Sequence, residues 1–244
     1  MNRFFISPDA ISGNTVSIPD EVSAQIRKVL RLKEGTAVCF LDNLGNLYES
    51  RIHYITDKQL TAEVIDKRPA EGEPNVRVSL YIGLTQREKF EWILQKCTEA
   101  GVSRIIPMIT ERSLIRKTSD AAGKTERWEK ILKEAAEQCG RGRIPEICQA
   151  VPFARAAEAG SRADLALFCW EEEKQKSLRQ IIEPQKESIR EVSLMIGPEG
   201  GFSAEEAKLA SINGWEAVTL GERIYRMETA AMAAVILVLY EFSR

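Results

Sequence analysis

The chain has 244 residues, 44% of them hydrophobic, with 34 Lys+Arg against 36 Asp+Glu and a net charge of −2. That allows one large domain or two small ones with a real core, and it excludes a disordered chain. Near-neutral charge announces no polyanion partner, so any nucleic-acid surface must rest on local patches. The five cysteines, Cys39, Cys97, Cys139, Cys148 and Cys169, form no Cys-x-x-Cys pair. Their odd number argues for reduced thiols in a cytosol and against a disulfide frame or zinc site. His53 is the one histidine and sits in an alternating stretch, so it reads as a strand residue, with no metal site expected. MNRFFISPDA has no long apolar core, and the longest apolar run, AAMAAVILVLY (230–240), is too short to span a bilayer. A soluble, cytoplasmic protein is expected.

In chain order, the N-terminal part reads as short strands around one helix. RFFI and TVSI are brief β-prone runs. In DEVSAQIRKVLRL, residues Val22, Ile26, Val29 and Leu30 share one helical face, behind the start signal Pro19-Asp20. TAVCFLD, LYESRIHYI and LTAEVID follow, with a DNLG turn between the first two. This predicts a small β-barrel carrying one helix over residues 1–72. KRPAEGEPN (67–75), with two prolines, a glycine and no large apolar side chain, predicts a linker.

Residues 73–244 change rhythm. VRVSLYIGL reads as a buried strand, and REKFEWILQKCTEAG as a helix burying Phe90, Ile93, Leu94 and Cys97 and stopping at Gly101. RIIPMIT is a strand. TERWEKILKEAAEQCG places Trp128, Ile131, Leu132, Ala135, Ala136 and Cys139 at helical spacing before Gly140. DLALFCW, EVSLMIG and WEAVTLG then alternate with helical SLRQII, SAEEAKLASI and METAAMAAVILVLYEF. Such alternation predicts an α/β fold with a mostly parallel sheet covered by helices.

Three strand-end stretches carry candidate chemistry. IGPEGGFS (196–203) is glycine-rich, but it has neither the lysine of a phosphate-binding P-loop nor Rossmann spacing, and its surround is acidic. Ser203 and Glu206 read as a capping box for the next helix. Small bulk at Gly197, Gly200 and Gly201 would let main-chain groups approach a flat ligand; on the residues alone, a plain tight turn stays equally open. LGERIYRMETAA (220–231) crowds Glu222, Arg223, Arg226 and Glu228 at another strand-to-helix junction, either a site or a solvated charge cluster. FCWEEE (168–173) offers Trp170 as a stacking platform or as core. Two such loops in one sheet match the rule that α/β ligands sit beyond the carboxyl ends of strands. Basic residues gather at Arg27, Lys28, Arg31 and Lys33; at Arg112, Arg116 and Lys117; at Arg141 and Arg143; and at Arg223 and Arg226. They are either scattered surface or an RNA footprint.

Taken together, VLRLKEG, KFEWILQKCTEAGVSRIIPMITERS, RWEKILKEAAEQCGRGRIPEI, IGPEGGFSAEE and LGERIYRMETAA resemble, in this order and over nearly the whole chain, the bacterial ribosomal RNA uridine-N3 methyltransferases, the RsmE type of the SPOUT superfamily. The resemblance implies a PUA-like barrel for RNA, an α/β domain with a deep trefoil knot, and a homodimer in which the AAMAAVILVLY helix is buried. It implies S-adenosylmethionine bound in a bent shape between three loops: Phe168, Cys169, Trp170 and Glu171; Ile196, Gly197, Pro198, Gly200 and Gly201; and Leu220, Gly221, Ile224, Tyr225, Met227 and Thr229. RNA contacts are expected from Arg3, Arg27, Lys28, Arg31, Arg112, Arg116, Arg141, Arg143 and Arg223. Two positions depart from the family pattern: RIYR places Tyr225 where leucine is usual, and Gln25 stands where histidine is common before VLR.

The reaction implied is methylation of uridine N3 in small-subunit (16S) ribosomal RNA. Uracil N3 carries a proton that must leave before or during attack, and charge then develops on O2 and O4. Arg226 is the candidate for that charge, and Glu199 or Glu228 for the base. The competing readings are a non-catalytic RNA-binding or ribosome-assembly protein on the same fold, and methylation at another RNA position. A nucleotide hydrolase is disfavoured by the missing lysine.

Overall fold

The computed structural model describes residues 1–54, 59–121 and 123–243. Ile55, the last residue of the predicted strand LYESRIHYI, lies outside them. The chain divides into two compact units, Met1–Glu73 with Ala136–Ile144, and Pro74–Ala135 with Pro145–Arg244.

The first unit is a six-stranded sheet. Its strands are β1 (Asn2–Phe5), β2 (Ile11–Ser12), β3 (Thr15–Ser17), β4 (Ala37–Leu41), β5 (Asn46–Tyr54) and β6 (Leu60–Pro69), in the order β1-β4-β5-β6-β3-β2. The β1–β4 pair is parallel and the others are antiparallel. Alternation sends Phe4, Val16, Phe40, Ile52 and Leu60 into one core, closed by Val22 and Ile26 from the helical segment. The predicted linker begins too early: Lys67, Arg68 and Pro69 still pair with Tyr48, Leu47 and Asn46. β3 reaches only Thr61–Glu63 on the other side of β6, so the missing N–H of Pro69 faces an unpaired edge.

The predicted helix also departs from expectation. α1 (Asp20–Ala24) runs into a π turn over Gln25–Val29, with the Leu30 N–H bonded to the Gln25 carbonyl at 2.9 Å. An i→i−5 bond rotates the register by one residue. Val22 and Ile26 therefore stay buried, whereas Val29, expected on the same face, is 73% exposed.

The DNLG turn sits between β4 and β5. Buried Asp42 accepts from the Leu44 N–H, from the backbone and side chain of Asn46, and from the Tyr48 hydroxyl. These bonds outweigh the upward push of burial and hold its carboxyl below the ordinary value. Residues 141–144 are stitched onto this turn. The Ile144 N–H donates to the Asn43 side chain at 2.8 Å, and the Arg143 guanidinium donates to the Leu44 carbonyl at 2.6 Å.

The second unit is a wholly parallel sheet. Its strands are β7 (Arg77–Gly83), β8 (Arg104–Ile109), β9 (Glu146–Ile147), β10 (Val151–Pro152), β11 (Leu165–Cys169), β12 (Glu191–Ile196) and β13 (Glu216–Val218). The order is β10-β8-β7-β12-β11-β13, with β9 paired to β8. α2 (Arg87–Ala100), α3 (Thr125–Cys139), α4 (Phe153–Gly160), α5 (Leu178–Ile182), α6 (Ala204–Ile212) and α7 (Met227–Phe242) alternate with the strands. Register places Ile106, Tyr81, Met195 and Phe168 in one row, facing a core shared with α4 and α6. Their neighbours Ile105, Leu80, Leu194 and Leu167 form a buried row on the other face, and α7 packs on β7, β12, α2 and α5. α2 ends at Gly101 with φ 107°, a left-handed cap that glycine adopts freely. α4, whose alanine-rich sequence carries no long apolar stripe, was not predicted. It packs closely: the Trp215 indole donates to the Ala157 carbonyl at 2.9 Å.

α2 is held to α3 by Glu91, which binds Arg127 through both oxygens at 2.5 and 2.7 Å and Arg87 at 2.9 Å. The Arg127 guanidinium, with Arg87, brings the Glu91 carboxyl down to about 2. A depressed carboxyl contributes stability above its unfolded value, near 4.5, and loses it as pH falls toward 2. Arg127→Ala should therefore lower stability slightly at neutral pH, the guanidinium that it removes being exposed and solvent-screened. In urea melts across an acid series, that difference from wild type should vanish toward pH 2.

Candidate active site

The carboxyl ends of β11, β12 and β13 open into one cavity of about 530 Å³ in the second unit. It is lined by three turns: Cys169–Glu171 after β11, Ile196–Gly201 after β12, and Thr219–Ala230 without Thr229 after β13. Parallel strands make this convergence, because every strand delivers its following loop to the same end of the sheet.

The glycine turn is shaped by crowding. Gly201 adopts φ 67° and its N–H returns to the Pro198 carbonyl at 2.9 Å; a side chain there would meet the Glu171 carboxylate. A Cβ on Gly83, at the end of β7, would lie 2.6 Å from the Pro198 nitrogen. The turn thus seats directly on the β7 exit. Behind it, Ser203 and Glu206 form the expected capping box for α6. The other Glu206 oxygen accepts from the Glu111 N–H at 2.8 Å, and Arg112 donates to the Gly200 carbonyl at 3.1 Å. The turn is therefore braced from two sides.

Glu199 is tied down as well. Its carboxylate accepts from the buried Thr85 hydroxyl and from Lys89 at 3.0 Å. Burial pushes this carboxyl up, but the Thr85 and Lys89 bonds outweigh it and hold it below the ordinary value. Glu228 lies in the first turn of α7, and Arg226 at its N-cap position. Among the described residues the Arg226 guanidinium has no carboxylate partner, and its side chain is exposed along the cavity. Arg223 reaches the Tyr225 hydroxyl at 3.4 Å. Burial pushes the Cys169 thiol up to about 12.

Of the residues expected at a cofactor, Cys169, Trp170, Glu171, Ile196, Gly197, Pro198, Gly200, Gly201, Leu220, Gly221, Ile224, Tyr225 and Met227 line this cavity. So do Glu199, Arg226 and Glu228. Phe168 and Thr229 do not: Phe168 is fully buried in the sheet core, stacked 4.4 Å from Phe202. Lys89, Lys174, Thr219 and Ala230 line it without having been singled out for it, beside Glu222 of the 220–231 cluster. Lys89 comes from a helix 110 residues before Glu199, so no local sequence signal marks it.

The basic residues divide. Arg223 lines the cavity itself, and Arg116 is exposed four residues after the braced Arg112. In the first unit, Arg31 and Lys28 are exposed beside Arg27 at the π turn, and Arg3 packs its guanidinium by Gly140. Arg141, also expected at RNA, is buried. It is 3% exposed and binds Glu73 at 3.3 and 3.0 Å, so its charge is spent inside the unit. Arg143, exposed, is likewise engaged at the Leu44 carbonyl. His53 lies on β5, 3.4 Å from Glu34. Among the described residues no cluster of His, Cys, Asp and Glu could hold a metal, and no helix is long and apolar enough to cross a membrane.

The family model of an RNA methyltransferase domain matches residues 72–239, and that of an RNA methyltransferase PUA domain residues 26–65. Ribosomal RNA small subunit methyltransferase E of Synechocystis is 31% identical over 235 residues, 96% of this chain and 75% of that protein. The protein of the same name from Bacillus subtilis is 29% identical over 250 residues, 99% of this chain and 97% of its own. The crystal structure of the Neisseria gonorrhoeae protein of that name, bound to S-adenosyl methionine, matches with a TM-score of 0.89 and 28% identity over 99% of this chain and 98% of that one. A PUA-like sheet followed by a parallel α/β domain, matched along its length in sequence and in fold, makes this chain a member of the ribosomal RNA small subunit methyltransferase E family of RNA methyltransferases.

Proposed function

We propose that this chain transfers a methyl group from S-adenosylmethionine to N3 of a uridine in 16S ribosomal RNA, as a cytoplasmic homodimer. The observation that carries this is the convergence of all three predicted strand-end turns on one cavity, in a chain of this family. The cavity suits the cofactor. Its volume is that of a small-molecule site, and Gly197, Gly200 and Gly201 line it without side-chain bulk, so main-chain groups can approach a purine and ribose. Its lining carries Glu171, Glu199, Glu222 and Glu228 beside Lys89, Lys174, Arg223 and Arg226, a mixture matched to a molecule with charges of both signs. When bound, S-adenosylmethionine supplies a methyl group activated by a positive sulfur.

The chain's own residues do the rest. Arg226 stabilises charge developing on uracil O2 or O4. Glu228 takes the N3 proton. Glu199, already bonded to Thr85 and Lys89 and held weakly basic, anchors the glycine turn. The exposed apolar side chains Ile236, Leu237 and Tyr240 on the outer face of α7 supply the dimer contact. Arg112, Arg116 and Arg223 by the cavity, and Arg3, Arg27, Lys28 and Arg31 on the PUA-like unit, receive phosphates. The trefoil knot belongs to the same reading, with β12 lying between β7 and β11.

Methyl-labelled S-adenosylmethionine incubated with unmodified small subunits, large subunits and naked RNA tests this reading. Label should enter 16S RNA of the small subunit; label only elsewhere, or none, refutes the reading. Gly201→Ala should raise the cofactor Kd roughly tenfold by calorimetry, because its Cβ would push the Glu171 carboxylate, part of the cavity wall, out of place. An unchanged Kd would place the cofactor elsewhere.

A further inference from the structure

The turn that leaves β8 closes on itself. The Thr110 N–H donates to the Ser113 hydroxyl at 3.0 Å, the two hydroxyl oxygens lie 2.9 Å apart, and the Ser113 N–H returns to the Thr110 carbonyl at 3.2 Å. Both residues are buried, so the turn has a firm seat. The two residues between them hold the glycine turn of the cavity, Glu111 through the Glu206 carboxylate and Arg112 through the Gly200 carbonyl. The approach is close: a Cβ on Gly200 would lie 3.0 Å from the Arg112 Cβ.

The Arg112 bond governs one peptide unit. A peptide is planar, so the Gly200 carbonyl and the Gly201 N–H turn together. Arg112 holds the carbonyl at 3.1 Å, and the Pro198 carbonyl holds the N–H at 2.9 Å. Glycine on both sides would otherwise leave this peptide free to rotate, and both glycines line the cavity. The two bonds therefore fix which main-chain groups the cavity presents.

A guanidinium carries five N–H donors, and the Gly200 carbonyl takes one of them. Arg112, Arg116 and Lys117 are exposed and have no carboxylate partner among the described residues, and Glu111 is the one acid between residues 110 and 117. A fork bonded on one edge and open on the other suits a phosphate. Arginine also loses rotamer freedom when it holds Gly200. A phosphate that orders the side chain takes over that loss, and the Gly200 bond then forms at lower cost.

We propose that Arg112 is a positioning residue that couples RNA to the cofactor: one edge of its guanidinium orients the Gly200–Gly201 peptide, and the other receives an RNA phosphate. Each ligand then tightens the other by the same factor. The inference rests on the proposed function.

The test is equilibrium dialysis of labelled sinefungin, an S-adenosylmethionine analogue that cannot transfer a methyl group, against the full chain. It is run with and without a saturating amount of unmodified small ribosomal subunits. The subunits should lower the sinefungin Kd about fivefold. Arg112→Ala should raise the Kd of the free chain about threefold, for the lost hydrogen bond, and abolish the further gain from subunits. The double variant Arg116→Ala, Lys117→Ala removes charge and keeps the brace, so it should weaken subunit binding yet show the same gain at saturation. A brace without coupling would lower the affinity of Arg112→Ala equally in both states. That result overturns the proposal, as does a wild type that methylates the subunits but binds sinefungin equally with and without them. A wild type that neither binds sinefungin nor methylates the subunits defeats the methyltransferase reading, and the coupling with it.

Discussion

Replacing Arg226 with alanine lowers methyl transfer by about 10²–10³-fold, the loss typical for removing one donor aimed at developing charge. The melting profile stays near wild type. The expectation rests on place and freedom. Arg226 stands at the N-cap position of α7, whose seat is fixed by buried Met227, Ala231, Ala234 and Val235. The backbone is therefore held, while the guanidinium lines the cavity without a carboxylate partner among the described residues. Arg226→Lys recovers only part of the rate, since an ammonium is a point charge and lacks the guanidinium fork. Single-turnover kinetics separate the steps. A fall in the chemical rate supports transition-state stabilisation, whereas a rise in KM alone would reassign Arg226 to RNA binding.

Glu73→Ala is the largest expected effect on folding. Its carboxylate lies under the Arg141 guanidinium, buried to 3% exposure, and also accepts from the Arg143 N–H at 3.0 Å. Taking away Glu73 removes this ion pair from a nearly inaccessible guanidinium, at a cost of roughly 1–3 kcal/mol. The damage should be local to the first unit, because residues 141–144 brace the turn between β4 and β5. Hydrogen exchange should show lost protection in β4 and β5 while β7 and β12 keep theirs. Unchanged protection in β4 and β5 would mean that the clasp does not hold this unit together.

The second unit was largely legible because its signals are local. Gly101 stops a helix, Ser203 with Glu206 starts one, and apolar runs between them space the strands. The three turns were visible for the same reason: each sits between a strand run and a helix start. What could not be read depends on contacts between distant segments. Lys89 and Thr85 join the cavity only because β7 and β12 are neighbours. Arg141 looked like surface charge because its partner is 68 residues away. Phe168 belongs to a strand-end motif yet points into the core, since the alternation that brings Cys169 to the cavity turns Phe168 toward the core shared with α4 and α6. Val29 failed for a different reason: a π turn shifts a helical face by one residue, and no residue type announces it.

The central claim is chemical, and nucleoside mass spectrometry tests it most directly. Small subunits lacking the modification are incubated with S-adenosylmethionine and either the wild-type chain or Arg226→Ala, and the 16S RNA is digested to nucleosides. The account predicts new 3-methyluridine with the wild type and a trace with the variant. A different methylated nucleoside, or RNA binding with no methylation at all, would contradict it.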